Sequence, residues 1–489
     1  MNSDQVHFEQ STGGYLVATR EQLEALNKAL TAGYQSGTSV PSNLTGGSAL
    51  QMESLDRTLK SVTFQMKNLQ LWPSIPMEKA YSTVEQFDRM TSVGSDGPAY
   101  FNEAGSPPEE DSRYVRDVAV VRYFGTRRRV SHVMTLVQTA FGDAVAREVN
   151  AGTMFILKNV ERALYFGNAD FSDVGEFTGL GVPPDTIAMD GLEKQIRLGN
   201  SDSKATALDF KGYGNIESVV RAMDGGVLTE EDLEEASLSI AQNLGTPTEL
   251  HLPHRALADL GKQFYTKERV MPMGVPAGQA GFVLNTFNAA GGAFTLKPNV
   301  FLYPRSTPPT VQVRDNAPAA TAFTGAGTSS TVASAVTSFV AGKVYQYKVT
   351  AANEMGESVA SAAVTGTIVA TGDIMTLTIT NVANAKYYGV YRSNAGGAAG
   401  TVQFIGYVKQ NPSATTTDFV DHNKRLPGSM KAFLFYRDPQ SFGCKTLCPL
   451  SKLSLAQIST SIEFLLCLYI TTMCYAPRQQ FILENIGRA

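Results

Sequence analysis

One stretch constrains this chain more than any other. Between Met134 and Gly167, the residues Val137, Phe141, Ala144, Val145, Ala151, Phe155, Val160, Ala163 and Phe166 recur at helical spacing. The pattern predicts a single helix over 134–167, roughly 45 Å long at about 1.5 Å per residue. Asp143 and Arg147 form an i,i+4 pair on its wet side. Gly142 and Gly152 each cost about 1 kcal/mol relative to Ala, so packing must hold such a helix together. From Met154 onward the sequence is apolar almost all round, which demands neighbours on more than one side. Phe155 and Leu164 are therefore expected to be buried on opposite faces.

Composition narrows what the helix can belong to. A chain of 489 residues has the length for about three domains with proper cores. Its net charge of −4 excludes a global polycation. The start has no charged-then-apolar export pattern. The most apolar run, Ile462 to Ala476, is interrupted by Glu463, Thr471 and Thr472 and is too short for a membrane span. A soluble protein is expected. Cys444, Cys448, Cys467 and Cys474 have poor zinc-ligand spacing, so they read as free thiols. His251 and His254 lack a Glu at metalloprotease spacing, and no nucleophile elbow, phosphate loop or dinucleotide fingerprint stands out. No catalytic residue, metal or cofactor is assigned.

Along the chain, residues 1–45 begin polar, with a short amphipathic helix at Glu21–Leu30 and a Gly/Ser/Pro-rich stretch from Gly33 to Gly47. Residues 46–75 have few apolar side chains, and the extended Leu69-Gln-Leu-Trp-Pro73 is expected to lie along another surface. Residues 76–132 read as a long two-stranded ribbon. Its arms are Ala80–Phe87 and Tyr114–Phe124, and its tip runs from Gly94 to the acidic Glu109, Glu110 and Asp111. A two-stranded ribbon is marginal alone in water, so it suits lying across a neighbouring subunit. Arg127, Arg128 and Arg129 make the one concentrated basic run. The acidic tip of a neighbour is one partner for them and a nucleic-acid phosphate another. These six residues are the candidate inter-subunit contacts.

After the helix, a capping-box pattern at Thr229–Asp232 opens a helix to Leu244. A short strand in 246–253, a helix at Ala256–Tyr265 and a hairpin around Gly292 complete a compact α/β lobe. Composition shifts at Ser306. To about Arg425 the chain is rich in Ala, Thr, Val, Gly and Ser and reads as an all-β insert with strands such as 344–351, 375–379 and 387–392. Tyr387, Tyr388 and Tyr391 suit alternating core positions. Exposed, they would instead stack on sugar, which keeps a surface or carbohydrate-binding protein as the alternative. Residues 426–489 contain short buried strands or helical pieces that return to the first lobe, a split domain.

Two resemblances follow from particular residues. Tyr345-x-Tyr-x-Val-x-Ala351, Asn353, Gly356-Glu-Ser358 and Tyr388-Gly-Val-Tyr-Arg-Ser393 resemble a fibronectin type III or immunoglobulin-like sandwich, with the late strand pair placed before the early one. The whole order, with Gly46–Leu50, Glu53–Asp56, Ala80–Glu85, Asp421–Asn423, Leu426–Gly428, Tyr475–Arg478 and Glu484–Gly487, resembles a tailed-phage major capsid protein of the HK97-type fold. That resemblance implies an α+β architecture: a flexible segment 1–45, an N-arm 46–75, an E-loop 76–132 and peripheral and axial domains 133–305. An immunoglobulin-like β-sandwich insert at 306–425 and a C-terminal return 426–489 would follow. It also implies pentameric and hexameric capsomers, contacts with other capsid, portal or scaffolding proteins, and weak non-specific contact with packaged double-stranded DNA. Assembly in host cytoplasm, no membrane and no enzymatic activity complete the expectation.

Overall fold

The computed structural model describes residues 5–9, 15–19, 65–94, 100–107, 109–137, 143–167, 189–199, 219–223, 225–267, 284–302, 307–311, 317–329, 339–353, 356–370, 373–423, 425–456 and 460–487. The chain divides into two compact units, one of residues 1–61 with 137–143 and one of 62–136 with 144–489. Within the first, β1 (Gln5–Glu9) and β2 (Tyr15–Thr19) pair as an antiparallel hairpin with Phe8 opposite Leu16. The polar composition of this segment had not suggested strands. The expected helix at 21–30 and the arm residues 46–64 lie outside the described residues.

In the second unit the governing helix is shorter than its periodicity implies. A short helix α1 (His132–Leu136) is followed by α2 (Ala144–Phe166), which has 23 residues. Apolar spacing continues backward through Val137 and Phe141, but Gly142-Asp143 is a helix-start composition and α2 begins directly after it. Ile156, Leu157, Val160, Glu161, Ala163, Leu164, Tyr165 and Phe166 are buried, so the second half is covered on most of its faces. Phe155 is not: it is 38% exposed, with the Arg128 guanidinium 5.8 Å from its ring. The expectation of burial on opposite faces therefore fails at Phe155 and holds at Leu164.

Two sheets receive α2. The first is four-stranded, in the order β3 (Met77–Lys79), β20 (Phe442–Ser454), β21 (Ser461–Cys474), β6 (Arg122–Ser131). The helix presses so closely on β21 that a Cβ on Gly152 would lie 2.4 Å from Leu466 Cδ1, which explains a glycine in the middle of a helix. The second sheet is mixed and six-stranded. Its order is β7 (Val220–Ala222), β22 (Gln480–Ile486), β19 (Met430–Phe435), β8 (Glu249–Leu252), β10 (Gly292–Pro298), β9 (Thr286–Ala289). The two strands from after residues 306–425, β22 and β19, are thus inserted between β7 and β8 from before them in one sheet. Tyr165 and Phe166 pack on Phe433 with ring centroids 5.5 and 5.8 Å away. Three further helices flank these sheets: α3 (Leu192–Gly199), α4 (Glu230–Gln242) and α5 (His254–Lys267). The capping box at the start of α4 forms as its sequence predicts, Asp232 Oδ2 accepting from the Thr229 amide at 2.9 Å.

The C-terminal strands differ from the short pieces expected. β20 and β21 have 13 and 14 residues and form one long hairpin. Pro449 and the polar Ser451-Lys452 obscure the strand in the sequence. Register shifts on either side of Cys448 absorb them, since a bulge tolerates a proline that a regular ladder does not.

Residues 323–421 build two antiparallel sheets with a core of their own. One runs β11 (Phe323–Ser329), β15 (Asp373–Thr380), β18 (Thr416–Asp421). The other runs β13 (Gly356–Glu357), β12 (Val344–Asn353), β16 (Tyr387–Arg392), β17 (Gln403–Lys409), with β14 (Val364–Thr367) also on β12. Tyr347, Val349, Tyr388 and Val390 from one sheet meet Met375, Leu377 and Ile379 from the other. Arg392 is buried at their end, its Nη1 donating to Asp421 at 2.6 Å and its Nη2 to the Arg425 carbonyl at 2.9 Å, with the Phe339 and Tyr345 rings 5.1 and 5.6 Å from its guanidinium carbon. Both terminal nitrogens of this buried cation have an acceptor, which offsets much of its burial, while its Nε has none.

Candidate functional site

Among the described residues no cluster of metal-ligating side chains forms. The arrangements that set this subunit apart are two extended segments and the groups that hold them.

The first segment is a strap at residues 69–75. Leu69, Leu71 and Ile75 are buried, Leu69 with Leu157 of α2 and with Phe301. The three central amides of the strap are satisfied by one side chain. The carboxylate of Glu161, fully buried on α2, accepts from three consecutive amides: Gln70 at 3.0 Å, Leu71 at 2.8 Å and Trp72 at 2.8 Å. Charge-assisted bonds to backbone N–H groups are among the stronger ones available, and here they sit away from water.

Glu161 is also the end of a buried polar chain. Asn299 Nδ2 donates to Glu161 at 3.2 Å and to the Tyr165 hydroxyl at 2.9 Å. That hydroxyl lies 2.5 Å from His251 Nδ1, and His251 Nε2 lies 3.2 Å from Glu249. Glu249 is held from outside by Lys297 at 2.8 Å and Arg437 at 2.7 Å. Burial works to raise the Glu249 carboxyl, but bonds from His251 and Lys297 overcome it and bring its pKa down to about 2. Burial pushes His251 below the ordinary imidazole value, so the ring is neutral. An ionised Glu249 requires the proton on Nε2, which leaves Nδ1 to accept from Tyr165. Every donor in the chain then points one way, from Asn299 to Glu249.

The second segment is the ribbon, β4 (Val84–Ser92) paired with β5 (Arg113–Val120). Alternation sorts its side chains into two faces. Glu85, Phe87 and Arg89 turn inward. Glu85 accepts from the amides of Tyr81 at 2.8 Å and Ser82 at 3.0 Å and from Lys445 at 3.2 Å. Phe87 meets the Tyr475 ring edge-on at 5.0 Å, and Arg89 binds Asp117 at 2.6 Å. Outward, Val84 faces Val120, Gln86 faces Val118, Asp88 faces Arg116 and Met90 faces Tyr114. Five of these are large apolar residues between 39% and 67% exposed, an unusual face for a two-stranded ribbon. A cavity of about 570 Å³ lies at the ribbon's base, lined by Asp88, Arg89, Tyr436, Gln440, Tyr475 and Arg478 among others.

The six contact candidates fall in two places. Glu109, Glu110 and Asp111 are exposed at the far end of the ribbon. Arg127, Arg128 and Arg129 lie on β6, where Arg127 and Arg129 face Glu463 and Arg128 reaches Glu148. Within one chain the structure does not bring the acids and the arginines together. The arginines already have intrachain carboxylates, which the sequence did not indicate because Glu463 lies over 300 residues away. Arg127 and Arg129 are nonetheless about two-thirds exposed. Tyr387, Tyr388 and Tyr391 are all fully buried, so none of them offers a ring to a sugar. Sequence reasoning missed Glu161 altogether.

These features describe an α+β chain held by a buried clamp, with a ribbon whose outer face is exposed. No family model matches the chain. Curated relatives do, over nearly full length. The chain is 24% identical over 485 residues to a putative major capsid protein of Enterococcus phage phiEF24C, covering 96% of this chain and 97% of that protein. It is 26% identical over 469 residues to the major capsid protein of Staphylococcus phage K, covering 93% and 94%. Among solved structures it is similar to the capsid of cyanophage P-SCSP1u, at 10% identity and a TM-score of 0.45 over 93% of this chain and 97% of that one. Over nearly its whole length the chain is therefore similar to bacteriophage major capsid proteins.

Proposed function

We propose that many copies of this chain close into an icosahedral shell of pentameric and hexameric capsomers around packaged double-stranded DNA. The role is mechanical: the chain carries load between neighbours and performs no catalysis. The near full-length match to phage major capsid proteins carries this reading, and the apolar outer face of the ribbon supports it. A face of that kind is stabilised by covering it with a second copy. In this reading 46–75 is the N-arm, 76–132 the E-loop, 133–305 with 426–489 the peripheral and axial domains, and 1–45, which holds the β1–β2 hairpin, the lead segment. Glu109, Glu110 and Asp111 of one subunit approach Arg127, Arg128 and Arg129 of the next. Portal, scaffolding and other capsid proteins, and non-specific DNA contact, complete the partners, with assembly in the host cytoplasm.

Residues 306–425 act as a module projecting from the shell. The pairing of β12 with both β14 and β16, and of β15 with β11 and β18, fits an immunoglobulin-like sandwich read from its late strands first.

Electron microscopy of the expressed protein, with and without scaffold, tests the main reading. Closed shells are expected, and persistent monomers under both conditions would overturn it. Removing the tip from Gly94 to Asp111 should leave folded subunits that make no stable shells. Replacing 307–424 by a short linker should spare assembly if the insert is modular.

A further inference from the structure

We propose that Leu244 is a contact residue for a second copy of this chain, held outward by a strained turn at the end of α4. Its backbone lies in the left-handed region, at a φ of 64°. A Cβ there crowds the following carbonyl oxygen, so glycine and asparagine are the residues that take this conformation readily. Among the described residues, the other non-glycines with positive φ are Asn384, Asn423 and Asn485. Leu244 alone departs from that pattern.

The turn itself calls for a glycine at this position. The Gly245 amide donates to the Ile240 carbonyl at 2.9 Å and the Leu244 amide to the Ala241 carbonyl at 3.0 Å. These paired bonds commonly close a helix around a left-handed glycine. Here the glycine comes one residue later, where a Cβ would lie 2.8 Å from Ile240 Cγ2. Neighbouring side chains pin the turn in place. Asn243 is buried and donates to the Ser239 carbonyl at 2.7 Å, and Gln479 Nε2 donates to the Asn243 and Leu244 carbonyls at 3.2 and 3.4 Å. Yet the Leu244 side chain is 67% exposed. The subunit bears the strain and gains little burial in return.

The surroundings of Leu244 point to what covers it. Leu244 and Met90 line the same cavity, and Met90 is an exposed member of the ribbon's outward row. The ribbon's exposed face and the end of α4 thus meet at one cavity. That face is the one a second copy covers in the proposed shell, and the role of Leu244 rests on the same reading. A turn pinned before contact loses little freedom when a partner arrives, so its rigidity favours association.

Leu244→Asn in the full-length chain separates the two roles, because it relieves the turn and removes the apolar contact. The unassembled variant should melt about 1–3 °C above the natural subunit in calorimetry. In electron microscopy the same variant should need about tenfold more protein to form shells. Stability and assembly are expected to move in opposite directions, and Leu244→Gly should repeat the assembly loss. Shells from Leu244→Asn at the natural concentration would overturn this proposal and leave the assembly reading intact. A variant subunit that melts lower than the natural one would also overturn it, since the leucine would then serve its own fold. If the natural chain makes no shells either, the assembly reading fails and takes this proposal with it.

Discussion

The strap and the ribbon are both extended segments that the main sheets do not contain, and they resolve the same problem in opposite ways. The strap buries Leu69, Leu71 and Ile75 in its own subunit and gives its amides to Glu161. The ribbon keeps Val84, Met90, Tyr114, Val118 and Val120 in solvent and is fastened to the body through Glu85, Phe87 and the neighbouring Lys445 and Tyr475. An extended chain can satisfy itself by borrowing a carboxylate and an apolar groove, as the strap does. It can also pair with itself and leave one face for another molecule. The difference separates a segment that its own chain covers from one whose outer face its own chain leaves in solvent.

If that contrast is right, subunit stability should respond strongly to the strap and weakly to the ribbon. Glu161→Ala leaves three backbone amides and Asn299 without their acceptor, in a site closed to water. A buried donor stranded in this way costs about 1–3 kcal/mol, so the sum is expected to reach at least about 4 kcal/mol. The variant should appear largely insoluble or melt far below the natural protein in calorimetry. A shift of only a few degrees would mean that water or a rearranged strap replaces the carboxylate. Leu71→Ala comes next, removing a buried side chain from the same segment at about 2–4 kcal/mol, readable as a lower urea midpoint.

Glu161 also marks where sequence reading stops. Its neighbours Val160, Ala163 and Leu164 announce a buried helix face through their spacing, and the fold they imply is the one observed. A single acid among them looks like a solvated residue, because its partners are backbone amides about 90 residues away that carry no side-chain signature. The ribbon was legible for the converse reason: β-branched and aromatic residues alternate locally in 114–120, and pairing with 84–92 needs only the connection 93–112 next to it in the chain. The capping box at Thr229 was legible because all its parts lie within four residues. Arg127 and Arg129 were visible as charge but not as partners of Glu463, since a sheet register joining 122–131 to 461–470 is a tertiary fact. The start of α2 was misplaced because periodicity has no stop signal of its own.

On the ribbon side, Lys445→Ala removes one of the three donors to Glu85 and keeps the two local amides. Its expected cost is about 0.5–1 kcal/mol, a small fall in melting temperature that high salt should partly reproduce. Burial tends to raise the Glu85 carboxyl less than the Ser82 amide lowers it, so its pKa lies below the ordinary value. What it contributes is therefore intact above about pH 4.5 and fades only as pH falls through the lowered value. An effect of Lys445→Ala as large as that of Leu71→Ala would erase the contrast between the two segments.

The smallest expected effect on stability is also the most informative. Val118→Asp sits on the outer face, 50% exposed and opposite Gln86. Its unfolding midpoint should stay within about 0.5 kcal/mol of the natural protein. Covering that face by a second copy would bury an unpaired carboxylate, however, and that is costly wherever no cation waits to meet it. The same variant should then fail to form shells in electron microscopy, and Val118→Thr, which adds polarity without charge, should fail only in part. Normal shells from Val118→Asp would mean that the exposed apolar ladder is not a contact surface, and the ribbon would need a different reason for leaving it in water.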